Sequence, residues 1–208
     1  MKKHFVSNSQ ESVRMFKHDW MEALSRVHFT VPLFIYVPVI LILCWLSLFV
    51  EQVGVAAFVG YAVLGLFVWT LTEYVLHRFV FHFVPKAKWA LRLHFIFHGV
   101  HHDYPNDAKR LVMPPSASIP MATALYLLFS LVLSGGPLYA FFAAFLVGYL
   151  FYDISHYALH HFNFKGAFWK KLKKHHMLHH YADATKGYGV SSALWDKVFD
   201  SDFNKDTK

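Results

Sequence analysis

Four long apolar runs constrain the fold of this chain more than any other feature. They lie near residues 29–50, 53–76, 116–133 and 137–159, and the third is the shortest. An α-helix needs about 20 apolar residues to cross the hydrocarbon core of a bilayer. Only 16% of the 208 residues are charged, whereas a typical soluble domain carries about 25%. The sequence therefore predicts an all-α membrane protein with four transmembrane helices arranged as two hairpins.

The basic residues indicate how these helices are oriented. The 20 Lys and Arg residues precede the first run, lie between the second and third runs, or follow the fourth; the short loops at 51–52 and 134–136 contain none. By the positive-inside rule, both termini and the loop 82–115 are cytoplasmic. The net charge of +7 then reflects topology and attraction to anionic lipids. We expect no binding to nucleic acid.

The chain is predicted to form a single membrane-embedded domain over residues 1–208. Apolar residues recur at helical spacing within 1–27, which indicates a cytoplasmic lead-in helix or a helix lying in the membrane interface. Residues 28–160 contain the four transmembrane helices and the cytoplasmic loop 82–115. Residues 161–208 are expected to form a cytoplasmic helical cap. The single cysteine, Cys44, excludes an intrachain disulfide.

Ten of the 16 histidines occur in four short motifs, two HxxHH, one HxxxH and one HxxxxH. Residues three or four apart share a helix face, so HxxHH turns three rings to one side and HxxxH turns two. In HxxxxH, the two histidines are about 140° apart on an ideal helix, and they face one centre only if the helix ends or bends between them. The ten residues are His77, His82, His98, His101, His102, His156, His160, His176, His179 and His180.

All four motifs lie at or beyond the cytoplasmic ends of predicted helices, so they can converge at one depth. Ten adjacent imidazoles would repel one another if protonated, but neutral imidazoles are good metal ligands. Ten ligands shared by two ions give five nitrogens to each ion, with a position left for water or substrate. The sequence therefore predicts a histidine-rich dimetal site held by the cap. Imidazole ligands suit iron, zinc, copper or nickel, of which zinc has no redox chemistry.

Further side chains near these motifs are predicted to support the site. Metal-bound histidines usually donate the N–H of their other ring nitrogen to a carboxylate or a carbonyl. Acidic groups at membrane depth are costly, so those that occur there are usually functional. Asp153, three residues before His156, is either such an orienting carboxylate or a substrate contact. The other predicted supporting residues are Glu73, His94, His161, His175 and Asp183, together with Asp103.

At these positions the chain resembles the integral-membrane fatty acid hydroxylase superfamily, and within it the fatty acid 2-hydroxylase (sphingolipid alpha-hydroxylase) branch. The HxxHH motif alone is shared with sterol oxidases, carotenoid hydroxylases and desaturases. The RLVMPP and YDxxH contexts are more specific. The resemblance is carried by the segments EYVLHRFVFH, HGVHHDYPNDAKRLVMPP, GYLFYDISHYALHH, KKLKKHHMLHHY and GYGVSSALWDKVF.

The resemblance implies an O2-dependent di-iron monooxygenase that hydroxylates C2 of a long-chain fatty acid or of a sphingolipid acyl chain. It implies that the ten histidines bind the two metal ions, with iron expected for catalysis and zinc as an alternative occupant of a purified protein. It also implies that Tyr152 and Asp153 line the substrate site. About 27 residues precede the first apolar run, fewer than a cytochrome b5 domain needs. We therefore expect a separate electron donor, either cytochrome b5-like or a ferredoxin with its reductase. The compact form resembles bacterial members, so we expect the protein to lie in a bacterial inner membrane.

Two other functions remain open at this point. The first is another oxidation of a sterol, carotenoid or other lipid, or a desaturation, on the same scaffold. The second is a histidine-rich metal transporter or sensor, although transporters bind their substrates near the middle of the membrane and these histidines gather on one side. Four basic residues near the motifs could attract an anionic lipid head or could be ordinary cytoplasmic charge. The sequence favours ordinary cytoplasmic charge. They are Lys109, Arg110, Lys173 and Lys174.

Overall fold

The computed structural model describes residues 5–203, which contain nine α-helices and no β-strand. Residues 1–4 and 204–208, and with them the extreme ends of both predicted cytoplasmic termini, lie outside the described residues. Three α-helices continue without a break into a π-helical turn: α2 into Leu46–Val50, α3 into Leu76–Phe81 and α4 into Phe95–Gly99. The α-helices are α1 (Asp19–Leu24), α2 (Val31–Trp45), α3 (Val55–Val75), α4 (Lys88–His94), α5 (Val100–Asp103), α6 (Pro115–Ser130), α7 (Gly135–His161), α8 (Ala167–Tyr181) and α9 (Leu194–Val198).

Three helical segments of the described chain are long and apolar enough to cross a membrane, namely Val31–Val50, Val55–Phe81 and Gly135–His161. The remaining predicted span is shorter than the sequence indicated. α6 has 16 residues, a length of about 24 Å at 1.5 Å per residue, against about 30 Å for the hydrocarbon core. The apolar run continues to residue 133, but the helix ends at Ser130 and the chain turns towards Gly135. The fourth transmembrane crossing therefore remains a prediction.

α7 is the centre of the fold. Of its 18 most apolar consecutive residues, 78% are buried. The corresponding share is 11% in each of the other two long apolar segments, Val31–Val50 and Val55–Phe81. α3 packs along it in parallel, and two glycines permit the close approach. A Cβ atom at Gly65 would lie 2.1 Å from the carbonyl oxygen of Phe141, and one at Gly148 would lie 2.5 Å from the ring of Trp69. This packing brings the histidine-bearing ends of α3 and α7 to the same end of the molecule.

The N-terminal segment differs from the helix that its apolar spacing predicted. Within residues 5–27 the helix is confined to Asp19–Leu24. The backbone instead bonds to the end of α5 and to the loop that follows it: Val6 N–H donates to the carbonyl of Asp103 at 2.9 Å, and Val27 N–H donates to the carbonyl of Lys109 at 2.9 Å. Tertiary contacts thus satisfy backbone groups that a longer helix would have paired internally.

Candidate metal centre

The HxxxxH motif lies in the π-helical turn that continues α3. A π-helix closes hydrogen bonds between residues five apart, so His77 and His82 stack on one face. The backbone N–H of His82 donates to the carbonyl of His77 at 3.1 Å, and the Nε2 atoms of the two rings lie 3.2 Å apart. The distortion that the spacing of this motif required is therefore a change of helix type within one continuous helix.

The ten histidines form two groups of five. Within each group, one ring nitrogen from every residue lies within 4.8 Å of those of the other four. The groups are adjacent, since the rings of His102 and His180, one from each, stack with their centroids 4.2 Å apart. The first group is His77, His82, His98, His102 and His179; the second group is His101, His156, His160, His176 and His180.

Each HxxHH motif contributes to both groups. The two histidines that are four residues apart enter one group, and the histidine between them enters the other. The three rings of a motif lie on one side of their helix, as the spacing predicted, but rings three and four residues from the first histidine diverge enough to reach neighbouring groups. His98 and His102 enter the first group and His101 the second, whereas His176 and His180 enter the second group and His179 the first.

The spacing of the ring nitrogens in the first group fits a bound cation. The Nε2 atom of His98 lies 3.2 Å from that of His77, 3.0 Å from that of His82 and 2.9 Å from that of His102. Two nitrogens that each lie about 2.1 Å from one ion are about 3.0 Å apart at a right angle and about 3.4 Å apart at a tetrahedral angle. The observed separations suit one ion with more than four ligands.

The second group shows the same fit through unpaired nitrogens. Both ring nitrogens of His101 and of His180, and Nε2 of His156, are buried without a hydrogen-bond partner among the described residues. Leaving a buried polar group unpaired costs about 1–3 kcal/mol. A neutral ring has a lone pair on one nitrogen only, and a cation that accepts it removes the cost for that nitrogen.

Electrostatics keep the rings in the form that binds metal. Burial, reinforced by the neighbouring histidines, lowers the pKa of His101, His176 and His180 well below the usual value for imidazole. Burial also lowers the pKa of His179, to about 4. These rings are therefore neutral at pH 7 and have a lone pair to donate.

Two rings of the first group are oriented by backbone carbonyls from the cap. His77 Nδ1 donates to the carbonyl of Tyr188, and His179 Nδ1 donates to the carbonyl of Lys186 at 2.6 Å. Each bond leaves Nε2 unprotonated and directed at the centre, as is usual for metal-bound histidine. The loop needs its glycine at position 187, where the backbone φ is +72°.

Glu73 holds this same loop. Its Oε1 accepts the backbone N–H groups of Val190 and Ser191, both at 2.8 Å, and its Oε2 accepts the hydroxyl of Ser191. The sequence suggested a carboxylate bonded to a ligand ring. The structure instead connects Glu73 to His77 indirectly, through the loop that carries the Tyr188 carbonyl.

Asp196 is a supporting residue that sequence reasoning missed, because it lies 16 residues beyond the last histidine motif. It is fully buried and accepts the backbone N–H groups of Tyr188 and Gly189, both at 2.8 Å. It also accepts a hydrogen bond from His175 Nε2 at 3.1 Å. Burial acts to raise the pKa of Asp196, but these hydrogen bonds outweigh burial and lower it. His175 thus lies outside both groups and supports the loop through Asp196.

The other predicted supporting residues lie beside the two groups. The ring of His161 packs against Tyr157 at 4.6 Å. Asp183 accepts the backbone N–H and the hydroxyl of Thr185 at 2.9 and 2.6 Å. His94 lines an apolar cavity next to the start of α6, and Asp103 bonds the N-terminal segment through its carbonyl.

An apolar cavity of about 280 Å³ borders the histidines, and Tyr152, Asp153, His101 and His156 are among its lining residues. The ring of Tyr152 stacks on that of His156 at 5.7 Å. Asp153 accepts the backbone N–H of Met113 at 3.1 Å and the hydroxyl of Tyr149 at 3.2 Å. Asp153 thus contacts a backbone N–H and a tyrosine hydroxyl in the described structure.

Comparison with known proteins agrees with this site. The model of the fatty acid hydroxylase family matches residues 62–201, a segment that contains all ten histidines. The chain belongs to the fatty acid hydroxylase family. Membership alone does not specify which lipid oxidation a member performs, so the named activities of individual relatives bear on this question.

Two relatives within the family have named activities. A dihydroceramide fatty acyl 2-hydroxylase of Arabidopsis thaliana is 41% identical over 195 residues, which cover 91% of this chain and 79% of that protein. The fatty acid 2-hydroxylase of Homo sapiens is 38% identical over 208 residues. This match covers 90% of the chain but only 56% of the human protein.

A solved structure of the family has the same fold. It is described as full-length scs7p with only the hydroxylase domain visible. The TM-score is 0.85 at 37% sequence identity, over 90% of this chain and 71% of that chain.

Proposed function

We propose that this protein is a membrane fatty acid 2-hydroxylase that uses O2 and electrons from a donor protein to hydroxylate C2 of a long acyl chain. The observation that carries the proposal is the position of the two five-histidine groups against an apolar cavity. The 2-hydroxylases among the relatives support the choice of C2. The donor is expected to be a separate protein of the cytochrome b5 or ferredoxin type.

The ten histidines would hold two metal ions, one in each group. We propose iron in both sites, because hydroxylation by O2 needs a redox-active metal and zinc has no redox chemistry. When bound, an iron pair supplies the activation of O2, while the protein binds, orients and shields the substrate.

The cavity determines what the protein does with its substrate. C2 is bonded to the carbonyl carbon of the acyl chain, so the polar head must lie near the histidines that border the cavity. Tyr152 and Asp153, which line the cavity together with these histidines, would position it. The apolar lining takes the hydrocarbon chain and excludes water from the reacting end.

The charges around the cavity favour an acyl chain in amide linkage over a free fatty acid. Arg110 is the only Lys or Arg among the residues that line this cavity in the described chain. It is buried and already contacts Glu22 and Asp107, at 2.6 and 3.4 Å. The cavity lining in the described chain therefore offers no uncommitted Lys or Arg side chain to pair with a free carboxylate beside Asp153, and the neutral amide of an N-acyl sphingoid base needs none.

The test is a product assay with purified, iron-loaded protein, O2 and a reducing system. An N-acyl sphingoid base and the matching free fatty acid are supplied separately, and the products are identified by mass spectrometry. We expect a 2-hydroxyacyl product, formed faster from the amide. A desaturated product, oxidation away from C2, or no product from either substrate would reject the proposal.

We further propose four transmembrane crossings with the metal centre on the cytoplasmic side, as the distribution of basic residues predicts. Single cysteines at Gln52 and Ser134, in a background without Cys44, should react only with reagents added from the non-cytoplasmic side. The relatives named above are eukaryotic, so the assignment to a bacterial inner membrane stays a prediction from the sequence.

A further inference from the structure

A buried charge network ties the N-terminal segment to the loop before α6. Arg110 Nη2 lies 2.6 Å from Glu22 Oε1, and Arg110 Nε lies 3.4 Å from Asp107 Oδ2. The side chains of Arg110, Glu22 and Asp107 are only 2%, 7% and 1% exposed. Removing one partner of such a pair leaves a buried charge uncompensated, so the contact is far more consequential than a surface ion pair.

The same network fixes the path of the N-terminal backbone. The second carboxylate oxygen of Glu22 accepts the backbone N–H groups of Met15 and Phe16, at 2.9 and 3.0 Å. Arg110 also donates to the hydroxyl of Ser25 at 3.0 Å. The Ser12 hydroxyl donates to Asp107 at 2.6 Å. Residues 12–25 contain only one short helix, so these side chains, rather than secondary structure, hold the segment in place.

The inner side of this segment forms part of the cavity at the metal centre. Met15, Phe16, Met21 and Leu24 line the cavity together with His101 and His156, and Trp20, which is 65% exposed, also lines it. The segment is therefore a wall of the site whose position depends on a few buried charges.

A neighbouring apolar cavity of about 510 Å³ offers a continuation for a long acyl chain. It shares Phe81, Phe97, Met113, Ser116 and Ala117 with the first cavity, and none of residues 12–25 is among its lining residues. An acyl chain can therefore extend into this second cavity while its head remains in the first, where the N-terminal wall limits its position.

We propose that Glu22 and Arg110 are positioning residues, which hold residues 12–25 as a wall of the acyl cavity and so determine which carbon of the chain faces the metal centre. The inference rests on the proposed function. It assigns Arg110 a role different from capture of an anionic head, because its charge is already matched by Glu22 and Asp107. If the wall is displaced, the chain has room to shift, and C2 loses its fixed position.

Glu22→Gln is the sharpest variant. The wild-type carboxylate meets Arg110 and, at 2.7 Å, the half-buried Arg26 with one oxygen, and accepts two backbone N–H groups with the other. Glutamine has one acceptor oxygen, so its NH2 group must face one of these sets of donors. Arg110→Met removes the buried one of the two arginines that pair with Glu22 and leaves Arg26 in place. Arg110→Lys restores the charge without the forked geometry.

The matched control is Asp19→Asn, which leaves the hydrogen bonds from Arg14 to the carbonyls of Phe16 and Lys17 in place. Arg14 and Asp19 form an ion pair at 2.5 Å in the same segment, but their side chains are 53% and 91% exposed. Exposed pairs contribute little, so this variant should behave as wild type in every assay below.

The variants are compared in the iron-loaded holoenzyme. We expect Glu22→Gln and Arg110→Met to keep the wild-type iron content, to be cleaved faster by trypsin after Lys17, and to yield a mixture of hydroxylation positions. Their kcat/KM for C2 should fall roughly 10- to 100-fold, as expected for a misplaced substrate. Arg110→Lys should fall between these variants and wild type. In unreduced protein, a fluorescent polyene acyl amide should bind more weakly to both variants.

Met21→Trp tests the wall without touching the charge network and covers the case in which the charge variants do not fold. The larger ring should occupy the cavity and weaken binding of the fluorescent acyl amide, with iron content unchanged. Three results would each overturn the inference. The first is unchanged probe binding in Met21→Trp. The others, both in Glu22→Gln, are wild-type regiochemistry together with wild-type trypsin sensitivity, and loss of iron. An inactive wild-type enzyme would instead reject the proposed function, and probe binding would still test the wall.

Discussion

The two five-histidine groups have the same type of ligands but different surroundings. In the first group, His77 and His179 are oriented by carbonyls of the loop 186–191, which Glu73 and Asp196 hold in place. In the second group, ring nitrogens of His101 and His180 have no partner among the described residues. Two members of the second group, His101 and His156, border the acyl cavity, as does only one member of the first, His98. The first group is therefore held by the surrounding backbone, whereas the second contributes more histidines to the wall of the cavity.

The largest effect is expected from removing a histidine of either group. His179 and His180 are adjacent on α8 but belong to different groups, so His179→Ala and His180→Ala remove one ligand from each group. Each should lower the iron content from two ions towards one per chain and reduce hydroxylation to background, because both ions are needed for the reaction. Metal analysis and product analysis on the same preparations provide the test. Full metal content in either variant would show that the division into two sites is wrong.

A smaller effect is expected from loosening the loop that serves the first group. Asp196→Asn removes the charge that accepts the N–H groups of Tyr188 and Gly189. We expect metal affinity to fall about 10- to 100-fold, the usual loss for a supporting partner of metal-bound histidine. The loss should be confined to one of the two ions in a chelator titration. Equal weakening of both ions would remove the distinction between the groups.

Asp153→Asn should have the complementary effect on the cavity side. Because Asp153 bonds Met113 and Tyr149 rather than a histidine, both ions should be retained. Turnover should fall by up to about 100-fold, or hydroxylation should stray from C2, since small displacements at a reacting centre are costly. Loss of metal with unchanged regiochemistry in the remaining activity would return Asp153 to the role of an orienting carboxylate.

The smallest effect is expected for His161→Gln. This residue follows His160 directly, but its ring packs on Tyr157 and it is in neither group. Metal content and kcat/KM should stay within about twofold of wild type, as for most substitutions away from a critical contact. A larger fall in metal content would place a sixth histidine at the second group.

Several features could be predicted from local sequence because they depend on interactions within a turn or two of helix. The apolar runs predicted an all-helical chain, and the ten histidines could be selected from spacing and ligand chemistry alone. The HxxxxH motif even predicted a distortion between His77 and His82, although not that it is a π-helical turn. The family was also recognisable, since its motifs surround these same residues.

Other features depend on contacts between distant parts of the chain. Spacing could not divide each HxxHH motif between two groups, because that division depends on how α5 and α8 approach each other. Asp196 lies outside the histidine motifs, and only folding brings it to the backbone N–H of Tyr188. α6 ends before its apolar run does.

The sequence by itself determined the membrane class, the helical content, the ligand type and the set of ten histidines, because composition and periodicity act locally. Only the tertiary structure decided which nitrogens share a centre, which carbonyls and carboxylates orient them, and that Glu22 meets Arg110, 88 residues away. These pairings depend on the packing of α3 along α7 and on the path of the N-terminal segment. A buried charge or N–H group must find a partner wherever folding places one.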